Sequence, residues 1–344
     1  MNAARLLADA LAHQESGAVV AGHRLLDELG RGGMGVVFSA CHIASKRIVA
    51  LKMPHAGGDA AVMQRFRAEA TAAAALDHPG ILPIHEVGES GGVPFFTMRF
   101  AECGSLAERA GTFTGRPRAA AELVTKIADA LAHAHERGLL HRDVKPSNIL
   151  LAAPDAPLLG DFGLARWLGR DSALTVAGSV LGTPSYLAPE LLGPKAEATT
   201  ASDVFSLGAV LYHLLCGRPP FAGDTVAATL AQVAEAAPPT PRALNAALPR
   251  DLEAVVRRSL ARDPAHRYAS AREFARDLRR WLGGEPVHAR PASPLEVAWR
   301  WCRRRPALAA TLAALAAVSV LAFVLTDRAR RAESGAKARA ESIK

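Results

Sequence analysis

The stretch His141–Asn148 reads HRDVKPSN, so that an aspartate, a lysine and an asparagine share one short segment. The tripeptide DFG follows at residues 161–163, and the tripeptide APE follows at residues 188–190. Carboxylate and amide oxygens are the ligands that Mg²⁺ prefers, and a loop aspartate can orient a hydroxyl group. Each short motif arises by chance in many chains, but the three in this order and at this spacing together indicate one folded site.

A glycine-rich segment upstream of these motifs reads GRGGMGVV at residues 30–37. Glycines let backbone N–H groups approach phosphate oxygens closely, because no Cβ atom stands between them. A dinucleotide-binding turn would lead directly into a helix, whereas the apolar residues 36–38 favour a strand. The segment therefore predicts a strand–loop–strand hairpin, and a glycine turn that binds no ligand is the alternative from this motif alone. The candidate phosphate-contacting residues are Gly30, Gly32, Gly33 and Gly35.

A lysine and a glutamate beyond the hairpin are the next candidates. Lys52 ends the run VALK at residues 49–52, which is typical of a strand, and Glu69 lies in the predicted helix Gln64–Leu76. A Lys–Glu pair between strand and helix would hold the lysine ammonium over the α- and β-phosphates of a nucleotide. The alternative is that Lys52 is a solvated strand lysine and Glu69 a surface carboxylate.

The order of the predicted elements indicates an α+β fold of two lobes. Short apolar and β-branched runs come first, and longer amphipathic runs such as Ala119–Arg137 come later. The chain divides into a leader, a globular domain, a linker rich in Pro and Arg, an apolar segment and a short charged tail, at residues 1–21, 22–283, 284–306, 307–326 and 327–344.

Over residues 22–283 the motifs resemble those of eukaryotic-like (Hanks-type) Ser/Thr protein kinases, and the later apolar segment makes the chain similar to the membrane-anchored kinases of bacteria. The resemblance implies the bilobal protein-kinase fold, with a β-rich N-lobe and a helical C-lobe. It also implies transfer of the γ-phosphoryl group of ATP to Ser and Thr hydroxyls of proteins, with Mg²⁺, or alternatively Mn²⁺, as the metal ion. A lysine two residues after the loop aspartate is typical of the Ser/Thr branch, and Lys145 follows Asp143 at that spacing.

The same resemblance assigns roles to individual residues. The residues that match catalytic positions are Asp143, Lys145, Lys52, Glu69 and Thr183. The residues that match metal ligands are Asn148 and Asp161. Besides Lys52 and the four glycines, the residues that match ATP-contacting positions are Val37, Ala50, Met98, Phe100, Ala101 and Leu150. The residues that match structural positions are Asp203, which supports the catalytic loop, and the ion pair of Glu190 with Arg267.

Two other activities belong to related folds. A pseudokinase, which would act as a binding or scaffolding module, would require the loss of Lys52, Asp143, Asn148 or Asp161, and all four are present. A small-molecule phosphotransferase is disfavoured by the intact APE motif and by the Gly182–Thr183 segment, which argue for a protein substrate. The sequence therefore favours an active protein kinase.

Regulation by phosphorylation is a further expectation from the resemblance. Arg142 directly precedes the loop aspartate, and a phosphorylated residue of the loop Leu164–Leu187 would supply negative charge to it. The candidate phosphosites are Thr175 and Ser179, and Thr175 is favoured because sites in this family tend to lie several residues before the Gly-Thr pair. Ordinary loop hydroxyls are the alternative.

The segment 307–326 carries no charge over 20 residues. As a helix it would span about 30 Å, which is the thickness of the hydrocarbon core of a bilayer. Its leucines, valines and phenylalanine contribute about −3 to −5 kcal/mol towards insertion. The sequence therefore predicts a C-terminal transmembrane helix in a single-pass cell membrane protein, and the need for ATP places the kinase domain in the cytoplasm. A buried or coiled helix of a larger protein is the alternative.

The net charge and the cysteine content indicate which further ligands and partners to expect. The net charge is +8, and much of the excess lies in residues 303–305 and 328–331, beside the apolar segment, which is typical of a membrane edge. The four cysteines lie far apart without a CxxC pair, so they do not suggest zinc. The expected partners are protein substrates, the bilayer through 307–326 and, as a candidate, a second copy of the chain; nucleic acid is not expected.

Overall fold

The computed structural model describes residues 18–32, 35–55, 60–162, 184–193 and 196–290, together with scattered positions between 307 and 323. The chain divides into two compact units. The larger comprises residues 1–282 and 287–290, and the smaller comprises residues 283–286 and 291–344. Val287–Arg290 fall inside the linker that the sequence predicted, yet they cluster with the larger unit.

The first part of the larger unit is an antiparallel sheet of six strands in the order β1-β2-β3-β4-β6-β5. The strands are β1 Val19–Val20, β2 His23–Gly32, β3 Gly35–His42, β4 Ile48–Met53, β5 Ile84–Ser90 and β6 Val93–Arg99. Successive side chains of a strand point to opposite faces. In β4, Leu51 therefore joins the apolar cluster on one face of the sheet, while Ala50 joins the cluster on the other face. Lys52 lies on the same face as Ala50.

A single helix, α1 (Ala60–Ala74), follows β4 and lies on the face of the sheet that carries Lys52. Phe66 is its main buried contact, with a ring centroid 5.2 Å from that of Phe96. Ala70 is buried beside it and adds only a small side chain. Among the side chains of α1 that the structure describes, Phe66 therefore makes the largest buried contact with the sheet.

The second part of the larger unit is helical. Its α-helices among the described residues are α2 Leu106–Arg109, α3 Pro117–His135, α4 Thr200–Cys216, α5 Val226–Glu235, α6 Pro241–Leu244, α7 Arg250–Ser259 and α8 Ala271–Leu282. Helix α4 begins after Thr199, whose side chain accepts a hydrogen bond from the Ser202 N–H, and ends before Gly217 at φ +74°. These are favourable residues at the two ends of a helix. Among the described helices of this lobe, α3 and α4 carry the largest numbers of buried side chains, and they form its centre.

A two-stranded sheet joins the two parts. It consists of β7 Ile149–Ala153 and β8 Ala156–Leu159. The Leu159 N–H donates to the Gly80 carbonyl at 2.8 Å, and the Leu159 carbonyl accepts from the Leu82 N–H at 2.9 Å. The motif segments at 141–148 and 161–162 flank this small sheet at the junction of the two parts. The predicted α+β fold, with a β-rich lobe followed by a helical lobe, is confirmed.

The predicted membrane segment lies largely outside the described residues. The described positions within 307–326 are helical, and Leu315, Val318 and Phe323 among them are exposed. Within the part of the chain that the structure describes, no helix has the length and apolar character needed to cross a bilayer. Most of the leader, residues 1–17, also lies outside that part.

Candidate active site

Asp203, in the first turn of α4, holds the start of the loop that connects α3 to β7. Its Oδ2 accepts a hydrogen bond from the backbone N–H of His141 at 2.8 Å, and its Oδ1 accepts one from the backbone N–H of Arg142 at 2.7 Å. His135, the last residue of α3, contacts the same carboxylate at 2.8 Å. Arg142 adopts φ +67°, a conformation that costs a non-glycine residue about 1–3 kcal/mol. The hydrogen bonds to buried Asp203 keep the backbone in that conformation.

Asp143 is the carboxylate at the centre of this loop. Lys145 Nζ donates to its Oδ2 at 2.7 Å, and Asn148 Nδ2 donates to the same oxygen at 3.0 Å. Asn148 Nδ2 also donates to the Asp143 backbone carbonyl at 2.8 Å, which closes the loop on itself. Among the described residues, Oδ1 of Asp143 has no hydrogen-bond partner, and the side chain is 28% exposed. The geometry therefore fixes one carboxylate oxygen and leaves the other available to a substrate.

His141 ties this loop to the segment that contains Asp161. Its Nε2 lies 2.8 Å from the Gly160 carbonyl, and its Nδ1 lies 3.3 Å from the Asp143 N–H. A carbonyl accepts and an N–H donates, so both contacts are satisfied by a neutral ring with its proton on Nε2. The ring also packs against Phe162 at a centroid distance of 4.7 Å. In addition, the Gly160 N–H donates to the Asn148 carbonyl at 2.9 Å, so hydrogen bonds hold the two motif segments together.

Lys52, on strand β4, contacts the second of these motif segments. Its Nζ donates to Asp161 Oδ1 at 2.6 Å, with the lysine side chain 8% exposed and the aspartate side chain 37% exposed. Burial acts to raise the pKa of Asp161, but the Lys52 ammonium outweighs it, so the pKa lies below its usual value. Asp161 is therefore an ionised carboxylate at neutral pH. It adopts φ +56°, which aspartate tolerates better than most residues.

The expected partner of Lys52 was Glu69. Glu69 lies in α1, but its side chain is outside the part of the chain that the structure describes. Beside the helix, a cavity of about 20 Å³ is lined by the small side chains of Ala70 and Ala73 and by Met98, Asp161 and Phe162. It has room for about one water molecule. The two alanines thus leave a gap between α1 and Asp161.

The glycine-rich segment forms the predicted hairpin. Strands β2 and β3 pair up to Gly32 opposite Gly35, and Gly33 lies outside the described residues. A Cβ at Gly35 would stand 2.0 Å from the Met53 carbonyl oxygen, so the fold itself requires that glycine. No described atom lies within 4 Å of where a Cβ would stand at Gly30 or Gly32. Protein packing thus leaves open space above those two residues.

An apolar patch lies below the hairpin. Ala50 and Met98 pair across β4 and β6, and Val37 and Leu150 pack against the same cluster. Phe100 and Ala101 follow directly after β6 and are partly exposed. The patch joins residues that are distant in the chain, because Leu150 belongs to β7, whereas the others belong to the first sheet or follow directly after it.

Glu190 and Arg267 form the predicted ion pair behind the site. The arginine donates to both carboxylate oxygens at 2.7 Å, and its side chain is fully buried. It also donates to the carbonyls of Ala201, Ala261 and Arg262 at 2.7–3.0 Å. The guanidinium is therefore completely engaged, as a buried charge must be.

Two functional contacts were missed from the sequence. The Tyr186 hydroxyl lies 2.7 Å from His213 Nδ1, which ties residues 184–186 to α4. Burial raises the pKa of Tyr186 to about 12 and lowers the pKa of His213, so both groups are neutral at pH 7. The other contact is that of His135 with Asp203. In each contact the histidine is a polar residue on the buried face of a helix, and this is the only signal of the contact in the sequence. The predicted Thr175, Ser179 and Thr183 lie outside the described residues.

A family model described as the protein kinase domain matches residues 23–278. The chain belongs to the protein kinase family. Serine/threonine-protein kinase PknF of Mycobacterium tuberculosis is 38% identical over 340 residues, which cover 92% of this chain and 70% of PknF. Serine/threonine-protein kinase PknB of Mycobacterium leprae is 38% identical over 275 residues, which cover 78% of this chain and 44% of PknB.

The fold of this kinase is also similar to that of a solved relative. The crystal structure of the Mycobacterium tuberculosis PknI kinase domain matches with a TM-score of 0.61 and 31% identity, over 77% of this chain and 97% of that one. Together with the two sequence relatives, it identifies the chain as a protein serine/threonine kinase. Protein kinases use ATP and a divalent metal ion, generally Mg²⁺.

Proposed function

We propose that this kinase is catalytically active and that Lys52, Asp143, Lys145, Asn148 and Asp161 carry the transfer. The observation behind the proposal is that all five belong to one continuous set of contacts. Lys52 binds Asp161, and Gly160 beside it is bonded to Asn148 and His141. Both of these residues contact Asp143, which also accepts a hydrogen bond from Lys145. A scaffold that only binds would not need an ionised lysine–carboxylate pair held at this junction.

The residues fit the groups that the family uses. The open space at Gly30 and Gly32 suits the close approach of phosphates to backbone N–H groups, and the apolar patch suits an adenine ring. Ionised Asp161 and the side-chain oxygen of Asn148 offer hard oxygen ligands to Mg²⁺, which when bound neutralises phosphate charge. Glu69 would hold Lys52 in the nucleotide-bound state, and Thr183 would support Asp143 and Lys145.

The chain's own part in the transfer follows from the contacts. Asp143 accepts a hydrogen bond from the substrate hydroxyl through its open Oδ1 and takes up the proton as the hydroxyl oxygen bonds to the γ-phosphorus of ATP. The bond from that phosphorus to the bridging oxygen of the β-phosphate breaks, and ADP leaves. Asn148 and Lys145 fix the orientation of the carboxylate, and the Lys145 ammonium lies where negative charge is transferred. Lys52 is held by Asp161 until phosphate oxygens compete for it. Most of the catalytic effect is thus positioning and electrostatic stabilisation.

Replacement of Lys52 by methionine tests the proposed activity. The kinase incubated with labelled ATP and Mg²⁺ is expected to phosphorylate itself and a Ser/Thr peptide, and Lys52→Met is expected to abolish both because the buried ammonium is lost. Chelation of the metal ion should have the same effect. Label incorporation by Lys52→Met at the wild-type rate would overturn the proposal. Lys126→Met, at an exposed lysine of α3, is the matched control.

We propose further that residues 307–326 anchor the kinase in the cell membrane as a single span, with the kinase domain in the cytoplasm. The support is the uncharged length of the segment and the arginines on both sides of it. The full chain is expected to stay with the membrane pellet after high salt and alkaline carbonate, while a chain ending at Arg290 is expected in the supernatant. Release of the full chain by salt alone would show peripheral attachment instead.

Activation-loop phosphorylation is the third part of the proposal. Phosphate at Thr175, or secondarily at Ser179, would add about −1.5 to −2 charges and three acceptor oxygens near Arg142. We expect mass spectrometry of the active enzyme to find phosphate at Thr175, and Thr175→Ala to slow peptide phosphorylation about fivefold or more. Ser172→Ala in the same loop is the control. Full activity of an enzyme whose loop carries no phosphate would contradict this switch. If the rate of loop phosphorylation per enzyme molecule rises with enzyme concentration, a second copy of the kinase phosphorylates the loop in trans.

A further inference from the structure

Helix α8 carries a carboxylate on its apolar face. Asp277 lies between Phe274 and Leu278 in the helical repeat, and all three side chains are buried, with Asp277 only 1% exposed. A charge that is buried so completely is costly unless hydrogen bonds compensate it. An acid in the apolar stripe of an amphipathic helix therefore marks a specific binding arrangement. The active site described above makes no use of it.

The hydrogen-bond donors to Asp277 lie both before and after helix α8. Tyr268, just before α8, donates its hydroxyl to Oδ2 at 2.8 Å. The other two donors are backbone N–H groups beyond the end of the helix: that of His288 reaches Oδ1 at 2.6 Å, and that of Ala289 reaches Oδ2 at 2.9 Å. Burial, followed by the Asp277 charge, raises the pKa of Tyr268 far above its usual value, so the tyrosine stays a donor.

The segment Val287–Arg290 is held at two further points. Val287 is 3% exposed and belongs to the main apolar cluster of the helical lobe. Arg290 donates to Asp251 Oδ1 in α7 at 2.7 Å, with the arginine 35% exposed and the aspartate 10% exposed. The segment is therefore bound by its backbone, by one apolar side chain and by one charge.

We propose that Asp277 is the centre of a clamp that binds Val287–Arg290 and so fixes the point where the chain leaves the helical lobe. The bound clamp holds the chain to the lobe as far as Arg290, eight residues beyond the end of α8 at Leu282. The clamp comprises Tyr268, Asp277 and Asp251 on the lobe and Val287–Arg290 on the bound segment.

The clamp has a consequence for reach, which rests on the proposed membrane anchor. The 24 residues 283–306 could extend over roughly 80 Å, whereas the 16 residues 291–306 can extend over roughly 55 Å. A bound clamp would thus restrict the active site to substrates nearer the bilayer. Release of the clamp would enlarge the accessible zone without any change at the catalytic residues.

Hydrogen–deuterium exchange of the full chain in detergent tests the clamp. The amides of His288 and Ala289 are expected to be protected in the wild type, because both donate to a buried carboxylate. Asp277→Asn is expected to speed their exchange at least about tenfold, since an amide offers one acceptor oxygen and its NH₂ group opposes the second donor. Asp224→Asn, at an exposed aspartate, is the control and should leave the exchange unchanged.

A second variant guards against a folding defect in Asp277→Asn. Arg290→Ala removes a partly exposed side chain at the far end of the segment and is expected to speed the same exchange about two- to fivefold. Peptide phosphorylation by either variant should match the wild type, because the hydrogen bonds of the clamp described above all lie away from the catalytic loop. Unprotected amides in the wild type, or protection unchanged by both variants, would overturn the clamp. The measurement does not depend on whether residues 307–326 span a membrane, so the two proposals can fail separately.

Discussion

Asp143→Asn is expected to lower the rate of phosphoryl transfer by a factor of about 10²–10⁴. The substituted amide cannot take a proton from the substrate hydroxyl. It would also lose the charge that holds Lys145 Nζ at 2.7 Å, so the ammonium would no longer be fixed beside the transferring group. Initial rates with labelled ATP and a Ser/Thr peptide, at saturating concentrations of both, measure the effect.

The same variant separates catalysis from nucleotide binding. Among the described residues, Asp143 makes no hydrogen bond or ion pair with Lys52, with the glycines of the hairpin or with the apolar patch, so the apparent KM for ATP should stay within about threefold while kcat falls. Asp224→Asn serves as the matched control because it makes the same change at an exposed position. A variant that retained a tenth or more of the wild-type kcat would show that Asp143 is not the group that receives the substrate hydroxyl.

The fold was predictable because its signals are local and ordered. The glycine segment, the VALK strand and the HRDVKPSN loop each specify a short backbone feature, and their order along the chain excludes other arrangements. Asp203 and the pair of Glu190 with Arg267 were matched to buried structural roles, and the structure places them as expected. These residues belong to a recognisable sequence pattern, and that pattern also indicates the partner of each.

The contact between Lys52 and Asp161 could not be read from the sequence. The sequence pointed to Glu69, whose side chain lies outside the described residues, whereas the structure places Lys52 on Asp161, 109 residues away in the chain. The approach of Asp161 to Lys52 depends on how the two lobes pack, and among the described residues of α1 that packing involves Phe66 and Ala70 rather than any motif residue. Tertiary packing of this kind leaves no periodic signal.

Polar residues on buried helical faces were the other omission. His135, His213 and Asp277 each lie on a helix whose apolar pattern is otherwise regular, and each forms a hydrogen bond that organises a neighbouring segment. The pattern shows that such a residue is unusual, but its partner is determined by a distant part of the chain. The contacts of Val287–Arg290 with the larger unit were likewise not visible in the sequence, because these residues follow a glycine pair and a proline that are typical of a linker.

Arg267→Met is expected to destabilise the kinase by about 3–5 kcal/mol, because it leaves a carboxylate without its partner inside the lobe. Glu190 is only 23% exposed, and three backbone carbonyls would lose their donor at the same time. Methionine keeps much of the side-chain volume above the Phe205 ring, which the guanidinium now covers at 4.8 Å. The loss would therefore come from unpaired polar groups rather than from a cavity. Thermal unfolding followed by circular dichroism should show a midpoint about 10 °C lower.

A double-mutant cycle identifies the ion pair as the source of that loss. Glu190→Gln alone should also be destabilising, because it leaves the fully buried Arg267 guanidinium without its counter-charge, although an amide oxygen can still accept one hydrogen bond from it. Combined with Arg267→Met, it should add little or even recover stability, since the charge that Arg267→Met leaves unpaired is no longer present. Arg257→Ala, at an exposed arginine of α7, is the control and should change the midpoint by less than about 2 °C. Additive effects of the two substitutions would mean that the carbonyl contacts of Arg267, and not its pairing with Glu190, stabilise this lobe.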